Sequence, residues 1–214
     1  MAKHASKELA VTSQDIYEDD FEDEEYEGHQ QGKKSSGIIR TIIEFAVALI
    51  VALSLTWALK TYVVEPYEVP TGSMEATIQI GDKLLAEKVS LMFAPVQYGD
   101  IVVFADKVVQ GRILVKRVIA IGGQEIDFKD GLVLVDGLPL YEPYTNGTQS
   151  FPINEHFNNL NIVYPYTVPE GSVWVMGDNR ENSADSRYFG SVTENSVFAR
   201  AIMVFWPLED IGPL

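Results

Sequence analysis

Hydrophobic positions along the chain fall into two regimes. From Gly37 to Lys60, "GIIRTIIEFAVALIVALSLTWALK" is apolar almost without a break, whereas beyond Lys60 apolar residues come in short runs divided by Gly, Pro, Asn and Asp. At about 1.5 Å per residue the first regime is long enough to cross a hydrocarbon layer of about 30 Å, despite Glu44 near its start. It predicts one transmembrane helix over residues 38–60. A cleaved secretory signal is the competing reading. The segment is longer than a usual signal core, follows a long acidic leader, and runs into "TYVVEPYEVP" with no small-residue cleavage site. The second regime reads as strands and turns. "GDIVVFA", "RILVKRVIAI", "QEIDF", "LVLVDG", "SVWVMG" and "VFARAIMVFW" are expected strands, and Asp130-Gly131 and Asp136-Gly137 supply the positive φ of tight hairpin turns. Residues 144–166, rich in Asn, Pro and Thr, are expected to form an irregular excursion. The expected fold is mostly β: one N-terminal transmembrane helix, then a β-rich domain over residues 61–214.

Composition adds a size limit and several exclusions. With 214 residues, 46% hydrophobic, there is room for one modest core and its appendages. Much of the net charge of −15 sits in "QDIYEDDFEDEEYEG", Gln14 to Gly28, which buries too little to fold, so residues 1–37 are expected to be a disordered acidic tail. Its sign argues against a nucleic-acid partner. Lys33, Lys34 and Arg40 precede the apolar run and only Lys60 closely follows it, a bias that keeps the N-terminus cytoplasmic and the β domain on the outer face of the plasma membrane. Trp57, Tyr62 and Tyr67 suit the far interface, or ordinary packing. The absence of cysteine excludes thiol nucleophiles, disulfides and thiolate metal sites, and His4 and His29 fall in the tail, leaving His156 alone for the folded part.

Three stretches carry candidate chemistry. In "GRILVKRVIAI" strand alternation puts Leu114, Lys116, Val118 and Ala120 on one face, so Lys116 has apolar neighbours on its own side. Either the side chain snorkels at a sheet edge with its ammonium in water, or burial lowers its pKa from about 10.4 toward neutrality and makes it a base. In "EVPTGSMEATIQIGD" Ser73 is a helix N-cap or a nucleophile. Gly72 would let a substrate backbone approach, and the Thr71 hydroxyl with the Ser73 amide would serve an oxyanion. "MGDNRENSADSRYFG", Met176 to Gly190, is a dense polar run that by itself suits a solvated loop full of Asx turns.

Taken together, "PTGSM", "GDIVVF", "VKRV" and "MGDNRENSADSR" occur in this order after an N-terminal anchor. From the anchor to Pro207 the chain resembles bacterial type I signal peptidases. The resemblance implies Ser73 as nucleophile, Lys116 as general base, Thr71 as the oxyanion-hole hydroxyl and Ser183 as the serine that helps orient the lysine. It also implies Asp185 and Arg187 as a bracing ion pair, and Asp178 and Arg180 as a structural part of the same motif. The implied activity is that of a membrane-bound serine endopeptidase that removes signal peptides after small residues at −1 and −3. No metal or cofactor is implied. The implied partners are precursor signal peptides, the lipid bilayer and, functionally, the export machinery, with the enzyme acting as a monomer. Met74 and Val115 flank the dyad residues and are candidates for the pocket wall, or for plain core. The chain departs from the family pattern at Ala76, where Pro is usual, and at Ile78, Ala120, Gly122 and Gln124; these positions bear on turn geometry and substrate preference and leave the dyad intact. "LMFAP", Leu91 to Pro95, is a candidate for contact with lipid, or an ordinary loop. Two rivals use the same sequence: a serine/lysine protease trimming one dedicated substrate or itself, and a tethered β module that binds exported chains without cutting them.

Overall fold

The apolar run forms α1, a single helix over Gln31–Tyr62, which begins before the expected 38 and ends two residues after the expected 60. Its large apolar side chains from Ile38 to Leu59 are all exposed, so among the described residues this apolar surface has no protein cover. Polar groups within it are satisfied locally: Glu44 pairs with Arg40 one turn back at 2.9 Å, and the Thr41 and Thr56 hydroxyls donate to the carbonyls of Gly37 and Ala52. The stretch Gly37–Tyr62 is long and apolar enough to cross a membrane. This computed structural model describes residues 31–106, 109, 111–153 and 161–214, with Gln31–Ser36 described by backbone alone. The acidic stretch Gln14–Gly28, His4, His29 and His156 lie outside the described residues. Residue contacts divide the chain between Val51 and Ala52.

Among the described residues twelve strands follow: β1 Val64–Glu68, β2 Lys83–Glu87, β3 Ile101–Ala105, β4 Ile113–Ile121, β5 Glu125–Lys129, β6 Leu132–Val135, β7 Leu138–Pro139, β8 Tyr166–Thr167, β9 Ser172–Met176, β10 Val192–Thr193, β11 Val197–Trp206 and β12 Gly212–Pro213. All six expected strands are present. Among those that the hydrophobic pattern did not announce are β1, which contains Pro66, and β2. β1 pairs with β2 alone, and an edge strand is where a residue without an N–H is tolerated. The larger sheet runs β1-β2-β11-β3-β4-β9-β10 with β12 beside β11, and the smaller runs β7-β6-β5-β8, all pairs antiparallel. At both hairpin turns of the smaller sheet, Asp130-Gly131 and Asp136-Gly137, the two residues have positive φ as expected.

β11 carries register shifts against both β2 and β3, and such bulges bend a strand. The large sheet closes far enough that Tyr67 of β1 and Val115 of β4 pack against one cluster of Ala86, Val103 and Ala199. β4 itself passes from one core to another. Leu114 and Val118 pack with Val102, Phe104 and Val175, whereas Ile119 and Ala120 both pack with Ile126, Trp174 and Met176. The expected alternation, which set Ala120 on the face of Val118, therefore fails beyond Val118. A register shift between Val118 and Ala120 against β9 inserts the extra residue that breaks it. The departures at the end of β4 form a closed turn: Gln124 N donates to Ile121 O at 3.1 Å, and its side-chain Oε1 accepts from Ile121 N at 3.0 Å. Gly122 lies where a Cβ would meet the Pro169–Gly171 backbone at 3.0–3.1 Å.

Candidate active site

Residues 70–81 form a closed loop between β1 and β2. Val69 N donates to Asp82 O, Gly81 N donates to Val69 O, and Asp82 Oδ2 accepts from Gln79 N at 2.8 Å. Met74 and Ile78, both buried, pin this loop to the core. Ser73 sits inside a 3₁₀ turn, Gly72–Met74, whose N-cap is Thr71. The N-cap reading of Ser73 is thereby excluded. Thr71 makes no side-chain capping bond, so its hydroxyl is not spent on the turn.

The turn continues in a strained conformation. Glu75 (φ −53°, ψ 145°) and Ala76 (φ +91°) are the central residues of a type II turn closed by Thr77 N to Met74 O at 3.0 Å. Position 76, where the family pattern has Pro, thus adopts a backbone that proline's fixed φ near −65° cannot reach.

Lys116 on β4 is 2% exposed, which excludes the snorkelling reading. Its Nζ lies 2.5 Å from Ser73 Oγ and donates to Val115 O at 3.0 Å. Burial pushes its pKa from 10.5 down to about 8, against the pull of the Asp185 and Asp178 carboxylates. An amine so placed is partly neutral at physiological pH and within proton-transfer distance of a hydroxyl.

The polar run after β9 is not a solvated loop. Asp178, Arg180, Ser183, Asp185 and Arg187 are all buried. Asp178 takes a bidentate bond from Arg117 (2.9 and 2.7 Å) and accepts from Thr77 Oγ1 at 2.5 Å. Asp185 caps the short helix α2, Ser186–Phe189, takes both Nε and Nη2 of Arg187 at 2.9 Å, and accepts from Gly177 N. Arg180 reaches the other way, donating to both oxygens of Glu142 and to Ser150 Oγ. Ser183 Oγ, expected to help orient the lysine, is buried without a hydrogen-bond partner among the described residues and makes no hydrogen bond to Lys116. It is packed against Gly177, where an added Cβ would lie 2.3 Å from both Ser183 Oγ and Ser73 O.

Several residues that sequence reasoning passed over tie these parts together. Asn179 N donates to Ser73 O, and its Nδ2 donates to Gly72 O and Glu75 Oε2, clamping the nucleophile turn from the far motif. Arg117, adjacent to Lys116 but on the other face, also donates to Gly99 O and stacks on Tyr144 at 4.2 Å. The available signal was a second charge in an otherwise apolar strand. A cleft of about 470 Å³ opens at the dyad, with Tyr67, Val69, Thr71 and Met74 on one wall and Leu114 and Val115 on the other. Met74 and Val115 therefore line the cleft and also belong to the core.

The model of the family described as signal peptidase, peptidase S26, matches residues 42–206. The chain belongs to this family. It is 39% identical to a probable signal peptidase I-1 of Synechocystis sp. over 78% of this chain and 83% of the relative. It is 32% identical to a signal peptidase I of Leptolyngbya laminosa over 86% and 87%. Among solved structures, a signal peptidase I of Enterococcus faecalis V583 matches with 32% identity and a TM-score of 0.41, over 50% of this chain and 97% of that one. The mostly β fold with one N-terminal apolar helix and a β-rich S26 domain agrees with the expectation from the motifs, as does an enzyme that removes signal peptides.

Proposed function

We propose that this peptidase cleaves by a Ser73–Lys116 dyad. The observation that carries the reading is the 2.5 Å approach of Lys116 Nζ to Ser73 Oγ, for an amine whose burial brings its pKa to about 8. Neutral Lys116 accepts the Ser73 proton as Oγ attacks the scissile carbonyl, and the lysine then returns that proton to the leaving amine. Thr71 Oγ1 and the Ser73 N–H are the candidate donors to the oxyanion. Water deprotonated by the same amine hydrolyses the acyl-enzyme. Asp185–Arg187 braces the segment behind the base, and Ser183 supports the dyad by packing.

Among the described residues, the edge of β1 and the first half of β4 both lack a strand partner on the cleft side, since β9 pairs with β4 only from Arg117 onward. An extended substrate laid along these edges points alternate side chains to the same side. Residues −1 and −3 then face Met74 and Val115, which leave room for small side chains. α1 anchors the enzyme in the plasma membrane with its N-terminus cytoplasmic and its β domain outside, close to signal peptides delivered by the export machinery, where it acts as a monomer. Residues 1–37 are its acidic cytoplasmic tail. Met92 and Phe93, 75% and 83% exposed, suit contact with the lipid surface.

The test is incubation of detergent-solubilised enzyme with a panel of precursors, followed by sequencing of the new N-termini. Wild type should cut several precursors after small −1 and −3 residues, while Ser73→Ala and Lys116→Ala should each lose at least about a thousandfold in kcat/KM. Near-wild-type turnover by either variant refutes the dyad. Processing of a single precursor would favour the dedicated trimming protease, and binding without a new N-terminus would favour the tethered module.

A further inference from the structure

Side chains alternate along β4, so Val115 and Leu114 serve opposite faces of the sheet. Val115 packs with Ala86, Val103 and Ala199, whereas Leu114 and Tyr188 pack against the cluster that holds Phe104 and Phe189. Arg112 comes two residues before Leu114 and shares its face. The pairing extends that far: Asp106 N donates to Arg112 O at 2.8 Å, one pair beyond Ala105 and Ile113, and the two side chains form an ion pair. The Asp106 carboxylate is 1% exposed, a fixed footing for a guanidinium that is itself 49% exposed. Its contacts to Asp106 use Nε and Nη2, and Nη1 has no partner among the described residues. On this face a cavity of about 340 Å³ is lined by Arg112, Asn182, Ser183, Ala184 and Tyr188. Arg112, Asn182 and Ala184 also line the dyad cleft, so the two spaces adjoin.

We propose that this cavity receives the precursor's −2 side chain and that Arg112 selects there for a long side chain ending in a hydrogen-bond acceptor, such as glutamine. The inference rests on the reading of an extended substrate beside β4, cut by the Ser73–Lys116 dyad. With −1 and −3 facing Met74 and Val115, the residue between them faces the Leu114 side, where the cavity lies. A glutamine amide oxygen can accept from Arg112 Nη1, and its NH₂ group can donate to Glu181, an exposed carboxylate that also lines the cavity. Lysine offers no acceptor, and it brings one cation against another that Asp106 holds in place. The permanent charge of arginine keeps this preference constant with pH.

The test uses the full chain in detergent and precursors that differ only at −2, with Gln, Ala or Lys there and alanine at −1 and −3. The readout is kcat/KM for the cut after −1. Wild type should prefer the Gln precursor to the Lys precursor by about tenfold. Arg112→Met keeps the length of the side chain but none of its donors, and should erase that ratio. A general loss of structure lowers all precursors alike and leaves the ratio standing. A ratio that survives Arg112→Met therefore overturns the proposal, as does a wild type indifferent to −2. Should Arg112→Met fail to fold because Asp106 is left buried and unpaired, Ala184→Phe decides. By filling the cavity it should slow the Gln precursor about tenfold more than the Ala precursor, and equal slowing of both refutes the idea. Cleavage by Ser73→Ala would instead strike the dyad itself, so the two failures are distinguishable.

Discussion

Replacing Lys116 by Met should make the protein more stable and inactive, and the gain in stability should depend on pH in a way that reports the lysine alone. Met fills a similar volume without the amine. In the folded chain Lys116 titrates near pH 8, whereas an exposed lysine in the unfolded chain titrates near 10.5. Between these values the unfolded chain binds the extra proton, so wild-type stability rises with pH through that window. Below pH 8 the full penalty is present, and above 10.5 it is gone. The difference of about 2.5 pH units corresponds to about 3 kcal/mol at 1.36 kcal/mol per unit. The substitution also removes the bonds to Ser73 and Val115, worth about 1 kcal/mol each and nearly independent of pH. Lys116→Met should therefore exceed wild type by about 1–2 kcal/mol at pH 7 and lose that lead by pH 10.5, a swing of about 3 kcal/mol. The swing corresponds to about 6–12 °C in the Tm gap for a chain of this size. Parallel denaturant titrations in detergent at four or five pH values measure it, because every other titrating group is common to both proteins. A gap that stays constant with pH, or widens as pH rises, refutes the claim that burial lowers the pKa of this lysine.

The strained turn at Ala76 makes two further outcomes testable. Ala76→Gly should stabilise the protein by about 1 kcal/mol, because glycine is at ease at φ +91°, and Ala76→Pro should destabilise it by about 3 kcal/mol or more; both are read by the same denaturant titration. At Gly177 a methyl group would strike the Ser73 carbonyl oxygen, which cannot swing aside as a side chain can. Gly177→Ala should push the nucleophile turn away from Lys116 and lower kcat/KM about a hundredfold, a loss read with the precursor assay, while KM changes little.

Legibility differed from one element to the next. The strands containing Val102, Lys116, Val133 and Trp174 were readable because each is a short apolar run bounded by turn residues, and the two Asp-Gly hairpins because positive φ needs those residue types. β1 and β2 were not, since Pro66 and the charges of β2 mask them, and β2 is held on its other side by distant β11. Ala120 was misplaced because a bulge is a property of two strands and leaves no mark in one. Arg117, Asn179 and Thr77 were overlooked as members of the site because their roles are bonds across long stretches of chain.

By itself the sequence determined the chemical parts: one unbroken apolar helix, a set of short strands, a serine after glycine, and a lysine in a strand that offers it apolar neighbours. Each follows from local covalent character, which a chain carries wherever it goes. Whether Ser73 capped a helix or faced a base, and whether Lys116 reached water or stayed dry, was decided by the tertiary structure. A hydroxyl and an amine 43 positions apart meet only when the curled sheet brings β4 under the loop between β1 and β2. The lysine gives up its proton more readily only when that packing takes away the water that would have stabilised its charge.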